Sequence, residues 1–167
     1  MSWKYRLQQF LSHMQANECA VDYDVVEELL PAEACALFRG MSAGDQRHAV
    51  CVLKALCAGE EPPLALKRAA LLHDVGKSCG DLKLWHRVLG VAAEAVDEGL
   101  LSRLASSDSG LYVQAHHAEL GALLCERVGL SPFTVDLVRY HESSGEEIAD
   151  PALREALAAL READDAC

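Results

Sequence analysis

The sequence predicts an all-α protein, a compact bundle of many helices, and three observations lead to that prediction. Hydrophobic residues make up 51% of the chain, with Ala and Leu dominant, whereas aromatic residues make up only 5%. This composition favours helices packed on helices over β-sheet folds. Apolar residues recur at helical spacing between clear start and stop signals, and no useful length of the chain alternates as a strand would.

The first part of the chain divides into helices at its proline and glycine residues. Pro31 is suited to the start of a helix, and the Gly40 to Gly44 stretch forms a turn before the next one. Gly59 ends that next helix, and Pro62-Pro63 opens the one that follows. The predicted helices here are residues 2–16, residues 24–30, a helix begun by Pro31, residues 45–58, and a helix from Pro62-Pro63 to His73-Asp74.

The second part of the chain also divides into helices, and its helix starts carry stronger capping signals. Residues 76–81 and 105–110 read as loops, because Gly, Ser and Asp accumulate there. Ser131-Pro132 and Asp150-Pro151 each combine a capping side chain with proline at the first helical position. The predicted helices are residues 82–98, 113–127, 132–142 and 151–165.

The net charge of −11 limits the partners. An acidic surface repels nucleic acid backbones and anionic membranes, so neither is expected as a partner. A small phosphate-containing substrate remains compatible, because a bound metal reverses the local sign of charge. No window is long and apolar enough for a membrane span, and the sequence does not fix the oligomeric state.

The cysteines predict a reduced protein. There are seven, an odd number, and none forms a Cys-x-x-Cys pair. Several fall at apolar positions of predicted helices, where Cys acts as a small hydrophobic residue. We therefore expect a cytoplasmic protein without a disulfide framework.

Polar residues interrupt the apolar faces of five predicted helices. His48 is followed at helical offsets by Cys51, Val52 and Ala55, so its side chain points into the core. Apolar residues at helical offsets likewise indicate that five more polar side chains point inward or lie at a helix end: His73, Asp74, His117, His141 and Asp164.

Two neighbours compete for these positions. His116 directly precedes His117 and is a candidate either for the same role or for contact with a substrate. Asp165 follows Asp164 but lies on a more polar face, so Asp164 is preferred.

The spacing of these residues predicts that they converge. His48 and His73 lie on successive helices, and so do His117, His141 and Asp164, with one turn and one helix between them. A single buried histidine is usually a core residue bonded to a carbonyl group, but six buried polar side chains would each need compensation. One metal centre compensates all of them.

The donor set indicates the kind of metal. Imidazole and carboxylate without thiolate suit Mn²⁺, Fe²⁺, Ni²⁺, Co²⁺ or, with more water, Mg²⁺. One or two ions are possible. In the two-ion arrangement, Asp74 bridges an ion held by His48, His73 and Asp164 and a second ion held by His117 and His141.

These motifs resemble the HD-domain metal-dependent phosphohydrolase superfamily. His48, the helix-ending H-D-V-G-K with His73, Asp74 and Lys77, and the late Asp164 match its H…HD…D order. H-A-E-L-G-A from His117 and Y-H-E from Tyr140 are similar to the additional ligand segments of its two-metal subgroup. The resemblance covers roughly residues 45–165. The chain length and the absence of a linker predict a single domain over residues 1–167, and the resemblance divides it into a helical extension (1–44) and an HD core (45–167).

The resemblance implies hydrolysis of a phosphomonoester or phosphodiester of a small molecule such as a nucleotide. Asp74 and Lys77 are then the catalytic candidates, with Lys77 also contacting phosphate, unless it only balances the end of its helix. Arg47, Arg139 and His116 are weaker substrate-binding candidates, and Glu142 is expected to support His141. A non-catalytic metal-binding scaffold and a di-iron oxygenase are the alternatives.

One segment departs from the two-metal subgroup. The HD-GYP phosphodiesterases have a second histidine where this chain has Tyr140, and a Gly-Tyr-Pro element where it reads Ser143-Ser144-Gly145. These differences argue against cyclic di-GMP as the substrate. The chain also lacks a signature typical of (p)ppGpp hydrolases or dNTP triphosphohydrolases.

Overall fold

A computed structural model of the chain describes residues 21–80, 109–143, 145 and 147–167. These residues form seven α-helices and one 3-10 helix, without any strand, which confirms the all-α prediction. The predicted helices at 2–16 and 82–98 and most of the predicted loop at 105–110 lie outside the described residues. The elements are α1 (Tyr23–Leu29), α2 (Ala32–Gly40), α3 (Ala43–Leu56), α4 (Leu64–Leu72), η1 (Val75–Cys79), α5 (Ser109–Arg127), α6 (Pro132–Tyr140) and α7 (Pro151–Asp165).

Four helices begin at a side chain that caps the first turn. The carboxylates of Asp22 and Asp150 and the hydroxyls of Ser42 and Ser131 accept backbone N–H groups that would otherwise lack partners. Each such cap contributes about 1 kcal/mol of stability. The cap at Ser42 explains why α3 begins two residues before the predicted start.

The central helix of the fold is α4, which contacts α1, α2, α3, α6 and α7. Its residues Leu71 and Leu72 are completely buried, as are Leu137 of α6 and Leu157 of α7. Burying a leucine side chain stabilises a fold by about 1.5–3 kcal/mol. Because α4 ends at the centre of the bundle, His73 and Asp74, which follow it, lie in the core.

Residues from the N-terminal extension belong to the same core. Val26 of α1 and Phe38 of α2 are buried against it. The side-chain amide of Gln46 donates to the carbonyl of Met41 at 2.9 Å and accepts from the hydroxyl of Tyr23 at 2.8 Å. These bonds fix α1 and α2 against the first turn of α3.

Some element bounds differ from the predicted ones. The predicted loop after Asp74 contains the 3-10 helix η1, and α5 begins at Ser109, before the predicted start at residue 113. The sixth helix ends at Tyr140, two residues before the predicted end, and His141 caps it. No helix in the described residues is long and apolar enough to cross a membrane.

The prediction of a reduced protein was wrong for two of the cysteines. Cys51 on α3 and Cys167, just after α7, form a disulfide across a separation of 116 residues. The free thiols in the described part are buried Cys35 and Cys125 and exposed Cys57 and Cys79. Sequence spacing could not reveal the pair, because only the return of α7 along α3 brings the two cysteines together. The compartment of the protein stays a prediction.

Candidate metal centre

Six polar side chains meet at the centre of the bundle. His48 is on α3, His73 and Asp74 follow α4, and His117 is in the middle of α5. His141 follows α6, and Asp164 is near the end of α7. All except Asp164 are buried, and the Asp164 side chain is 32% exposed.

Three of the histidines are oriented by their own helices. In each, Nδ1 donates to the backbone carbonyl three residues earlier, so Nε2 is the nitrogen directed at the other site residues. The bonds run from His73 to Ala70 at 3.0 Å, from His117 to Gln114 at 3.0 Å, and from His141 to Val138 at 2.7 Å. Helix geometry therefore supplies three nitrogen donors with a fixed orientation.

The first donor set consists of His48, His73 and Asp164, whose ligand atoms lie within 4.8 Å of one another. Asp164 Oδ1 lies 2.7 Å from His48 Nε2 and 3.5 Å from His73 Nε2. Ligand atoms held about 2.1 Å from one ion are separated by roughly 3–3.5 Å. The pair of His48 and Asp164 is hydrogen-bonded, so these two side chains must separate slightly to admit an ion.

The second donor set consists of Asp74, His117 and His141, which also lie within 4.8 Å of one another. Asp74 Oδ1 lies 3.5 Å from His117 Nε2 and 3.9 Å from His141 Nε2. All three residues are buried, and the spacing is close to that required around one ion. This set can hold a metal ion with little rearrangement.

Asp74 lies between the two sets. While Oδ1 faces His117 and His141, Oδ2 lies 3.6 Å from His73 Nε2 and 2.6 Å from Lys77 Nζ. Burial alone would raise the pKa of Asp74, but the charges of Lys77 and His73 outweigh it and hold the pKa well below its usual value. Asp74 is therefore an ionised carboxylate that reaches both donor sets.

The pKa values of the histidines depend on which carboxylates they face. Burial would lower the pKa of His73, but Asp74 and Asp164 outweigh it and raise the pKa to about 9 in the metal-free protein. Burial, reinforced by His73 and His117, lowers the pKa of His141 to about 4. At neutral pH His141 is thus a neutral donor, whereas His73 holds a proton that a metal ion would displace.

Two nitrogen atoms that face the carboxylates of the donor sets are buried without a hydrogen-bond partner within the described residues. These are the buried Nε2 atoms of His73 and His117. Their nearest carboxylate oxygens lie 3.5 Å away, which is too far for a good hydrogen bond. A buried polar atom without a partner costs about 1–3 kcal/mol. Since both atoms face carboxylates and other imidazoles, a metal cation is the ligand that fits them.

Two glycines set the position of η1 against α5. A methyl group at Gly76 would collide with the carbonyl group of His117 and would lie 2.6 Å from the backbone nitrogen of Gly121. A methyl group at Gly121 would lie 3.1 Å from the backbone nitrogen of Gly76. The two backbones therefore touch at the level of the site. From the sequence, Gly76 was expected only to begin the loop at residues 76–81.

The residues predicted to bind substrate lie at different distances from the site. Lys77 belongs to it through Asp74. Arg139 instead pairs with Glu119 and Asp136, both at 3.1 Å. The ring of His116 packs against that of Tyr112, with 4.5 Å between centroids. Arg47 is half-buried beside His48, and in the described part no ion pair or hydrogen bond joins it to the site residues.

Glu142 occupies a place that the sequence did not indicate. It was expected to support His141, and its charge does act on that histidine in the direction that raises the pKa, but its Oε1 also lies 3.6 Å from Nε2 of His117. Its side chain is 58% exposed, so it approaches the second donor set from the solvent side. The Y-H-E motif placed Glu142 near the site but gave no indication that it faces the histidine of another helix.

Known proteins give no independent guide to this site. Comparison of the chain with protein-family models, with curated proteins and with solved structures returns no match.

Proposed function

We propose that this chain is an HD-type, metal-dependent phosphohydrolase that cleaves a phosphomonoester or phosphodiester of a small molecule such as a nucleotide. The observation that carries the proposal is the position of Asp74, an ionised buried carboxylate between two sets of donors. Two adjacent cation sites that share a carboxylate suit phosphate ester hydrolysis, because that reaction needs charge stabilisation on both the attacking and the leaving oxygen.

The donor types support a particular group of metals. Four imidazoles and two carboxylates, without thiolate, suit Mn²⁺, Fe²⁺, Ni²⁺ or Co²⁺, and Mg²⁺ would need additional water ligands. When bound, such ions supply Lewis acidity toward the phosphoryl oxygens and lower the pKa of a bound water. The protein residues hold the donors in place, keep Asp74 ionised and exclude bulk water from the buried half of the site.

Lys77 has a defined part in this proposal. Its ammonium group lies 2.6 Å from Asp74 Oδ2, and its side chain is 15% exposed, so it borders the site while it holds the carboxylate. An ammonium group carries three hydrogen-bond donors, and it attracts phosphate as a point charge. We propose that Lys77 orients Asp74 and adds positive charge where the phosphate binds.

The charge distribution supports phosphate binding at the donor sets rather than elsewhere. A separate cavity of about 550 Å³ lies beside the end of α6, and its lining includes Asp136, Glu147 and Asp150. Three carboxylates would repel a phosphate there. With a net charge of −11, the chain needs a cationic centre to attract a phosphate ester, and bound metal would provide it.

The test combines metal analysis with hydrolysis assays. The protein is loaded with Mn²⁺, Fe²⁺, Ni²⁺ or Co²⁺, its metal content is measured by mass spectrometry, and p-nitrophenyl phosphate, bis-p-nitrophenyl phosphate and a nucleotide panel are offered. Asp164→Asn is the test variant, and Asp165→Asn is the matched control because Asp165 is the exposed neighbour. We expect a loss of at least about 100-fold in kcat/KM for Asp164→Asn and little change for Asp165→Asn.

The alternative outcomes separate the candidate functions. Stoichiometric metal without turnover of any substrate would favour a metal-binding scaffold over an enzyme. Wild-type protein that takes up no metal, or activity that survives Asp74→Asn, would overturn the proposed centre.

A further inference from the structure

We propose that Glu142 is an additional metal ligand, the solvent-side carboxylate of the second donor set. This inference deepens the proposed function, since it concerns the same centre. The two donor sets differ in their exposure to solvent. Asp164 provides a partly exposed carboxylate to the first set, whereas Asp74, His117 and His141 of the second set are all buried. In the described part of the chain, Glu142 is the carboxylate that faces the second set from solvent.

The contact with His117 carries the inference. Glu142 Oε1 lies 3.6 Å from the Nε2 atom of His117, which is buried and has no hydrogen-bond partner within the described residues. Because the Nδ1 atom of His117 donates to the Gln114 carbonyl, Nε2 is the nitrogen left to face the site. Two ligands of one ion lie at about this separation, so both atoms can reach the same ion.

The backbone explains how Glu142 reaches this position. Helix α6 ends at Tyr140, and His141 directs its Nε2 atom to within 3.9 Å of Asp74. Glu142 therefore falls on the turn that follows the helix, over His117 of α5. Its side chain is 58% exposed, so it can move by the fraction of an ångström that coordination requires.

Charge balance favours a third carboxylate. Two divalent ions carry four positive charges, Lys77 adds another, and Asp74 and Asp164 supply only two negative charges. An unbalanced excess of positive charge in a buried site is unfavourable. Glu142 reduces this excess at the solvent-facing side, where a carboxylate can also be displaced when a phosphate binds.

Metal titration tests the inference without depending on activity. Wild-type protein, Glu142→Gln and Glu126→Gln are titrated with Mn²⁺ and with Co²⁺ by calorimetry, and the visible absorption of bound Co²⁺ is recorded. Glu126 is an exposed glutamate on α5, so Glu126→Gln removes the same charge away from the site. Circular dichroism verifies that each variant is folded.

We expect two ions per wild-type chain, with one binding step weakened about 10- to 100-fold in Glu142→Gln and the other step unchanged. Glu126→Gln should match wild type, and Glu142→Asp should restore part of the affinity. Equal affinities in Glu142→Gln and Glu126→Gln would overturn the ligand role, as would a wild-type protein that binds only one ion. If Glu142→Gln loses affinity but the wild type hydrolyses nothing, the ligand role stands and the phosphohydrolase proposal fails.

Discussion

At the scale of single residues, Gly76 determines whether η1 can lie against α5. Its Cα approaches the backbone of His117 so closely that no other side chain fits. The contact links Asp74, two residues before Gly76, to His117 on the neighbouring helix. Gly76 thus keeps these two donors of the second set at their 3.5 Å separation.

Replacing Gly76 by alanine should therefore damage both stability and metal binding. We expect Gly76→Ala to lower the free energy of unfolding by about 3 kcal/mol, because backbone atoms rather than a flexible side chain must move. Urea denaturation monitored by circular dichroism measures the change. The control is Gly40→Ala at the end of α2, where an added methyl group meets no atom within 4 Å. Equal stabilities of the two variants would show that η1 and α5 are not in contact as described.

At the scale of elements, α3 and α7 are joined twice in the same register. Cys51 and His48 are three residues apart on α3, and Cys167 and Asp164 are three residues apart at the end of α7. The disulfide and the bond between His48 and Asp164 consequently span the same separation of 116 residues. The covalent link lies about one helical turn from two donors of the first set.

Breaking the disulfide should loosen that donor set. In the chain-entropy model, a link across a loop of this length stabilises the fold by about 5 kcal/mol, although measured values are often smaller. We expect Cys51→Ser, and wild type treated with dithiothreitol, to unfold at lower urea concentration and to bind the ion of the first set more weakly. Cys57→Ser, which removes an exposed free thiol directly after α3, is the control. Unchanged stability after reduction would contradict this expectation.

Capping signals made the helices themselves predictable. Ser131-Pro132 and Asp150-Pro151 begin α6 and α7 as expected, because their side chains cap locally and proline fits the first turn. Features that depend on contact between distant elements were not predictable. The disulfide requires α7 to return along α3, and the approach of Gly76 to His117 requires η1 to lie on α5.

The same distinction applies to the site. Helical offsets placed His48 and His117 on inward faces, and the regular spacing of the helices suggested that the donors meet, but their binding of metal stays a prediction. Pairing of Lys77 with Asp74 and the approach of Glu142 to His117 depend on side-chain positions that helical periodicity does not determine.

At the scale of the whole molecule, the site connects stability to pH. His73 has a raised pKa of about 9 in the folded metal-free protein, against an ordinary value of 6.5. Its stabilising effect is therefore complete below pH 6.5 and is lost as the pH rises through 9. His141 has a lowered pKa of about 4 in the folded protein, so the unfolded chain binds its proton at a higher pH. The free energy of unfolding therefore decreases as the pH falls from 6.5 toward 4.

We expect the metal-free protein to be most stable near pH 6.5 and metal to reverse the decline at higher pH. The ion of the first donor set would displace the His73 proton, so it should bind about tenfold more tightly for each pH unit between 7 and 8. Metal at 100 times its Kd should add about 2.7 kcal/mol to the free energy of unfolding. Thermal unfolding from pH 5 to 9, with and without Mn²⁺, measures both effects. A metal-induced shift in Tm that does not increase with pH would contradict the raised pKa of His73.

The long separation between His48 and Asp164 also has a consequence for how the chain folds. Contacts between nearby segments, such as that of α5 with α6, can form early, whereas closing a loop of 116 residues is entropically costly and slow. The first donor set is complete only after α7 has docked, because its members come from α3, from the end of α4 and from α7. Binding of an ion by this set would therefore report the docking of α7. A rapid-mixing experiment that follows Co²⁺ absorption could measure the rate of that docking directly.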